Sequence, residues 1–172
     1  DGAQFGVSVA TAGDVNGDGF ADVIVGAHGD DNGEGRASVY QGSAGGLATT
    51  SAWTTESNRP LTLYGQSVAT VGDVNGDGFS DVIVGAPGFN LFGEGEGAAF
   101  VYHGSAAGPA TTAAWTGESD QAAAGYGIAV ATAGDVNGDG YSDVIVGAYL
   151  YDNGQSDEGR AFVYHGSAAG LT

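Results

Sequence analysis

Apolar and polar positions alternate with a period of two through short stretches of this chain, and the same stretches return three times. The clearest runs from Gly35 to Ser43, GRASVYQGS, and is matched later by GAAFVYHGS and GRAFVYHGS, where Val and aromatic residues alternate with small or polar ones. Successive side chains of an extended chain point to opposite faces, so this pattern predicts a strand. A second stretch, DVIVGA, is a short β-branched apolar run and predicts a buried strand. A third, SVATAGDV from Ser8 to Val15, follows an aromatic-Gly pair that stands at Phe5-Gly6, Tyr64-Gly65 and Tyr126-Gly127. A weaker fourth surrounds Trp53 and Trp115 in SAWTTES and AAWTGES. No stretch predicts a helix of useful length.

The spacing of these stretches sets the architecture. The phrase GDVNGDGFADVIVGA at Gly13 to Ala27 recurs with one or two changes at Gly72 to Ala86 and Gly134 to Ala148, so the period is 59 and then 62 residues. Periods of this size belong to repeat architectures. Four short antiparallel strands per period, joined by Gly-rich turns, describe one blade of a propeller. The expected fold is therefore an all-β propeller segment of four-stranded blades, with repeats at about 1–59, 60–121 and 122–172, the last ending before a Trp strand.

Between the first two strands of each repeat lies a loop rich in oxygen. Asp14, Asn16, Asp18 and Asp22 stand at loop positions 1, 3, 5 and 9, and the Phe20 carbonyl falls at position 7. The second loop repeats this with Asp73, Asn75, Asp77, Asp81 and the Phe79 carbonyl, the third with Asp135, Asn137, Asp139, Asp143 and the Tyr141 carbonyl. Calcium takes six to eight such oxygens at about 2.3 to 2.6 Å, and three carboxylates within nine residues repel one another until a cation compensates them. The glycines between them permit the positive φ that the turn requires. Asp-Gly and Asn-Gly are also ordinary hairpin-turn pairs, but retention of all four side-chain ligand positions in three copies favours a cation. An EF-hand is excluded, because position 12 is Val25, Val84 or Val146 and a strand follows instead of a helix. The expected cofactor is about three calcium ions, one per repeat.

Charge narrows the partners. Among 172 residues, 21 Asp and Glu oppose three Arg and no Lys, for a formal charge of −18, which disfavours nucleic acid and anionic membrane surfaces. No run is long enough for a membrane span. There is no Cys, and the absence of Met, even at position 1, predicts a processed product or a piece of a longer protein. Calcium loops and high acidity suit the extracellular space or cell surface. No nucleophile, acid/base pair or open metal position stands out, so no enzyme is expected.

The aromatic-Gly pair, the D-x-N-x-D-G-x-x-D loop and the Gly85-Ala86-Pro87 element, with His28 and Tyr149 in place of Pro in the other copies, together resemble the FG-GAP repeats of the integrin α-subunit head. The resemblance covers essentially the whole chain. It implies calcium in the loop between strands one and two, an aromatic-Gly pair wedged between blades, partners on the opposite face, and a role in adhesion or recognition. Propellers close with about four to eight blades. Three repeats therefore imply either a homodimer closing a six-bladed ring or further repeats of a longer chain, in a ring of six or seven blades.

The connections between strands two and three vary from eight to eleven residues and carry Phe89, Phe92, Tyr149 and Tyr151, which are candidate contacts for a protein or glycan ligand. Trp53 and Trp115 offer flat faces for sugars, as in a lectin, but their recurrence at one place in the repeat favours packing. An accessory propeller of a larger surface protein or enzyme, or an engineered or amplified repeat protein, is a further reading.

Overall fold

The computed structural model describes residues 2–89 and 95–172. Its strands are β1 (Ser8–Gly13), β2 (Asp22–Ala27), β3 (Arg36–Tyr40), β4 (Trp53–Glu56), β5 (Ser67–Gly72), β6 (Asp81–Ala86), β7 (Ala98–Tyr102), β8 (Trp115–Glu118), β9 (Tyr126–Gly134), β10 (Asp143–Ala148) and β11 (Arg160–Tyr164). They form two four-stranded sheets, β1-β2-β3-β4 and β5-β6-β7-β8, and a three-stranded sheet, β9-β10-β11. Every pairing is antiparallel, and the described residues include no helix.

The core lies between the sheets. All six residues of β6 are buried. Its Val82, Val84 and Ala86 join Ile24, Val39, Trp53 and Tyr64 on one side, while Ile83 joins Tyr126, Val144 and Val146 on the other. Alternate residues of one strand thus serve two interfaces, which is why DVIVGA reads as a continuous apolar run. Full burial of each such Val or Ile contributes about 1.5 to 3 kcal/mol. In the flanking sheets one face is less covered, and Val23 of β2 and Ile145 of β10 are only half-buried.

The aromatic-Gly pairs join sheet to sheet. Tyr64 bridges Gly35 and Tyr126 bridges Gly97, each in parallel with the start of the preceding sheet's third strand. The Gly65 carbonyl would lie 2.0 Å from a Cβ placed on Gly26, so only Gly permits this approach. Tyr64 and Tyr126 are buried, whereas Phe5, the first of the set, is 55% exposed and meets the edge of Tyr40. The tryptophans also clamp across sheets. Trp53 of β4 sets its ring against Tyr102 of β7 at 5.1 Å and donates its indole N–H to the Ala110 carbonyl, and Trp115 packs on Tyr164 at 4.7 Å. Packing, the favoured expectation for them, is their observed role.

Two strand limits differ from expectation. The first strand ends at Gly13 instead of Val15, because Gly13 takes φ 75° and the register slips opposite Asp22. The third spans only Arg36–Tyr40, since Gly35 turns at φ 77° and the Gly42 N–H leaves the ladder for the Asp22 carboxylate.

Candidate metal centre

The three Asp-rich loops join β1 to β2, β5 to β6 and β9 to β10, at one end of their sheets. Within each, the first Asp organises the turn. Asp14 Oδ1 accepts the N–H groups of Gly17 and Asp18 at 2.7 and 3.0 Å, and its Oδ2 accepts that of Gly19 at 2.8 Å. Gly17 and Gly19 stand at φ 73° and 88°, a conformation that strains other L-residues. Asn16 donates its amide to Asp18 Oδ2 at 2.8 Å and accepts the Asp18 N–H at 3.1 Å. Asp73, Asn75 and Asp77, and again Asp135, Asn137 and Asp139, repeat these contacts. One sequence pattern thus gives one geometry three times.

The ninth-position acid sits deeper. Asp22, Asp81 and Asp143 are all fully buried. Asp22 Oδ2 accepts the Val15 N–H at 3.0 Å and its Oδ1 accepts the Gly42 N–H at 2.8 Å, tying the loop to the turn after β3. Asp81 does the same with Val74 and Gly104, and Asp143 with Val136 and Gly166. Sequence reasoning missed this clamp, although its signal was the Gly-Ser after each third strand, Gly42-Ser43, Gly104-Ser105 and Gly166-Ser167.

The surroundings tune these carboxyls differently. Burial pushes Asp81 up to about 6, against the opposing pull of its two backbone N–H donors and of His103. Asp81 belongs to the central sheet, covered on both sides. For Asp143, burial also raises the value, but the N–H groups of Gly166 and Val136 and the nearby His165 outweigh it, and the net shift is downward. His165 Nδ1 lies 3.3 Å from Asp143 Oδ2, and His103 Nδ1 lies 3.2 Å from the Asn75 amide.

The donor set suits calcium in kind and number. Each loop brings three carboxylates and one amide carbonyl, seven side-chain oxygens in all, and a hard cation takes six to eight. A carboxylate oxygen that accepts one N–H keeps a second lone pair, whereas Oδ1 of Asp14, Asp73 and Asp135 each accepts two. The loop oxygens face N–H donors instead of one another, and among the described residues no three acid or imidazole groups converge on a common point. Asp14, Asn16, Asp18 and Asp22, with the Phe20 carbonyl, and their counterparts are the groups that would hold the ion.

The candidate ligand contacts fall at the other end of the sheets. Tyr149 is 56% exposed. Phe89 turns inward, 8% exposed, with its edge on Phe100 at 5.1 Å and the Arg59 guanidinium 5.3 Å from its centroid. Tyr151 packs on Phe162 beneath Arg160. Phe92 lies outside the described residues. A cavity of about 350 Å³ opens beside Tyr149, walled by Leu63, Pro87, Ile128 and Leu150.

Three blade-like sheets, each with an acidic loop between its first two strands, and aromatic-Gly pairs that wedge the second and third against the sheets before them, define a β-propeller segment built of repeats. The FG-GAP repeat profile matches residues 5–40, 64–102 and 126–164, and the chain belongs to this family. It is similar to integrin alpha-PS2 of Drosophila melanogaster, 38% identical over 88% of this chain and 12% of that protein. Integrin alpha-4 of Xenopus laevis is 33% identical over 88% of this chain and 15% of its own length, and integrin alpha-5 of the same organism 32% identical over 97% and 17%. The chain therefore spans less than a fifth of the length of these relatives.

Proposed function

We propose that this chain is a calcium-stabilised, non-catalytic module that serves adhesion or recognition at the cell surface or outside the cell. The observation that carries this reading is the threefold recurrence of one acidic turn whose carboxylates have no Lys or Arg partner. The only ion pair of a guanidinium with a carboxylate among the described residues, Arg36 with Asp30, lies at the other end of its sheet. Calcium supplies the missing positive charge. With a dissociation constant of about 10⁻⁴ to 10⁻³ M and roughly 1 mM ion, each site adds about 0.4 to 1.4 kcal/mol. For a chain of this size, three sites raise the melting temperature by on the order of 3 to 15 °C. Thermal melts with calcium and with chelator test this, and coincident melts with no uptake of the ion oppose it.

Recognition is assigned to the end opposite the loops, where Tyr149 stands beside its cavity. Replacement of Tyr149 by Ala should weaken binding to a protein ligand without lowering the melting temperature. A second reading, glycan recognition, draws on a different feature. A groove of about 610 Å³ runs between β4 and β8, lined by Thr54, Thr55, Thr111 and Thr116 beside the partly buried Phe100. Threonines beside an aromatic side chain suit a sugar, and glycan-array binding that is lost on Thr111→Ala and Thr116→Ala would favour this reading.

The flanks belong to other blades of the same kind. Phe5 and Val9 are 55% and 65% exposed, while Tyr64 and Val68, at the same places in the next repeat, are 1% and 6%. What covers Tyr64 and Val68 is the preceding sheet. An equivalent sheet, from a second copy or from further repeats, is the surface that fits Phe5 and Val9.

A further inference from the structure

The three acidic loops are hydrogen-bonded in a row, each to the next. Ser80, at position 8 of the second loop, donates its N–H to the Asp14 carbonyl at 2.9 Å and accepts the Asp14 N–H on its hydroxyl at 3.2 Å. Asp14 is position 1 of the first loop, so both of its backbone groups are held by its neighbour. Ser142, at position 8 of the third loop, likewise donates its N–H to the Asp73 carbonyl at 3.0 Å. The following residue of each first loop segment is held too, with Ser105 N–H on the Val15 carbonyl and Ser167 N–H on the Val74 carbonyl, each at 3.0 Å. The aromatic rings complete the row. A Cβ added to Gly17 would meet the Phe79 ring at 2.7 Å, and one added to Gly76 would meet the Tyr141 ring at 2.6 Å.

We infer that the three calcium sites are energetically coupled, with Ser80 and Ser142 as the positioning residues that link them; this rests on the calcium reading above. Ser80 stands between Phe79, whose carbonyl is the position-7 candidate donor, and Asp81, the position-9 carboxylate. An ion in the second loop fixes both neighbours of Ser80 and thereby fixes the backbone of Asp14, the residue around which the first loop turns. The entropy of ordering Asp14 is then already spent when the first loop takes its ion. By linkage, an ion in the first loop favours the second equally. The same holds between the third loop and the second through Ser142. The first loop carries Ala21 at this position.

Electrostatics opposes this effect, since each bound ion lowers the negative potential that attracts the next. The loops are largely exposed to solvent, and at 0.15 M salt charges beyond about 8 Å are screened. Physiological ionic strength weakens this opposing effect.

The test is a calorimetric titration of calcium into the chelator-stripped chain in 0.15 M salt, beside the Ser80→Ala variant, which keeps the backbone bond to Asp14 and removes the hydroxyl that accepts the Asp14 N–H. The intact chain should bind three ions with a Hill coefficient above one, successive sites strengthening about fivefold or more. The variant should still bind three ions, with a lower Hill coefficient that stays above one. Three independent sites in the intact chain would overturn the coupling, and an undiminished Hill coefficient in the variant would overturn the part given to the Ser80 hydroxyl. No uptake by the intact chain would instead overturn the calcium reading beneath it.

Discussion

The hydroxyl of Tyr64 donates to the hydroxyl of Tyr102 across 2.7 Å in the buried seam between the first two sheets. Tyr126 and Tyr164 repeat the bond at 2.8 Å in the next seam. Burial, reinforced by Tyr102, pushes Tyr64 well above the ordinary tyrosine range, and burial with Tyr164 does the same to Tyr126. A group whose folded-state value is raised stabilises the fold fully below its unfolded value, about 10, and that contribution is lost as pH climbs higher. Stability should thus hold to about pH 10 and fall steeply above it. Tyr64→Phe should cost about 1 to 3 kcal/mol at neutral pH, by stranding the Tyr102 hydroxyl, and should flatten the alkaline limb of a melting-temperature profile.

Gly26 and Gly147 occupy the same place in the first and third repeats but meet different surroundings. A Cβ on Gly26 would strike the Gly65 carbonyl at 2.0 Å, whereas one on Gly147 meets only Ala129, at 3.7 Å. Gly26→Ala should destabilise the chain by about 3 kcal/mol or more through forced separation of two sheets. Gly147→Ala should cost less than about 1 kcal/mol when the flank is open. Light scattering of the unmodified chain and of Gly147→Ala, in millimolar calcium, decides how that flank is used. A mass twice the 16.8 kDa of the chain that reverts to one on this substitution would identify a second copy as the occupant.

Trp53→Ala removes both the edge contact with Tyr102 and the hydrogen bond to Ala110, and should cost about 3 to 5 kcal/mol in a denaturant titration. Trp115 is only half-buried, and its loss should cost less. Equal, negligible effects of both would contradict the clamp assigned to them.

Much of this was legible in the residues. Alternation in GRASVYQGS and the unbroken run in DVIVGA mark the strands because a pleated chain shows its burial at every second residue, or at every residue when both faces are covered. The loops announced their turns through Gly17 and Gly19, whose positive φ few other residues accept. What escaped reading depends on contacts between repeats or on what lies beside a loop. Phe89, expected among ligand contacts, packs inward because Phe100 of β7 stands beneath it. The buried clamp of Asp22 on Gly42 joins residues separated by the second and third strands, and its one local trace is the Gly-Ser after each third strand. The bond between Ser80 and Asp14 spans 66 residues, and the only hint of it was Ala21 where the later repeats have Ser.

The most direct test is an X-ray structure grown in millimolar calcium, with anomalous scattering used to locate the ions. The account predicts one ion in each of three loops, at about 2.3 to 2.6 Å from oxygens of Asp14, Asn16, Asp18 and Asp22 and of their counterparts. Loops that keep their N–H partners and hold no ion at that concentration would contradict it.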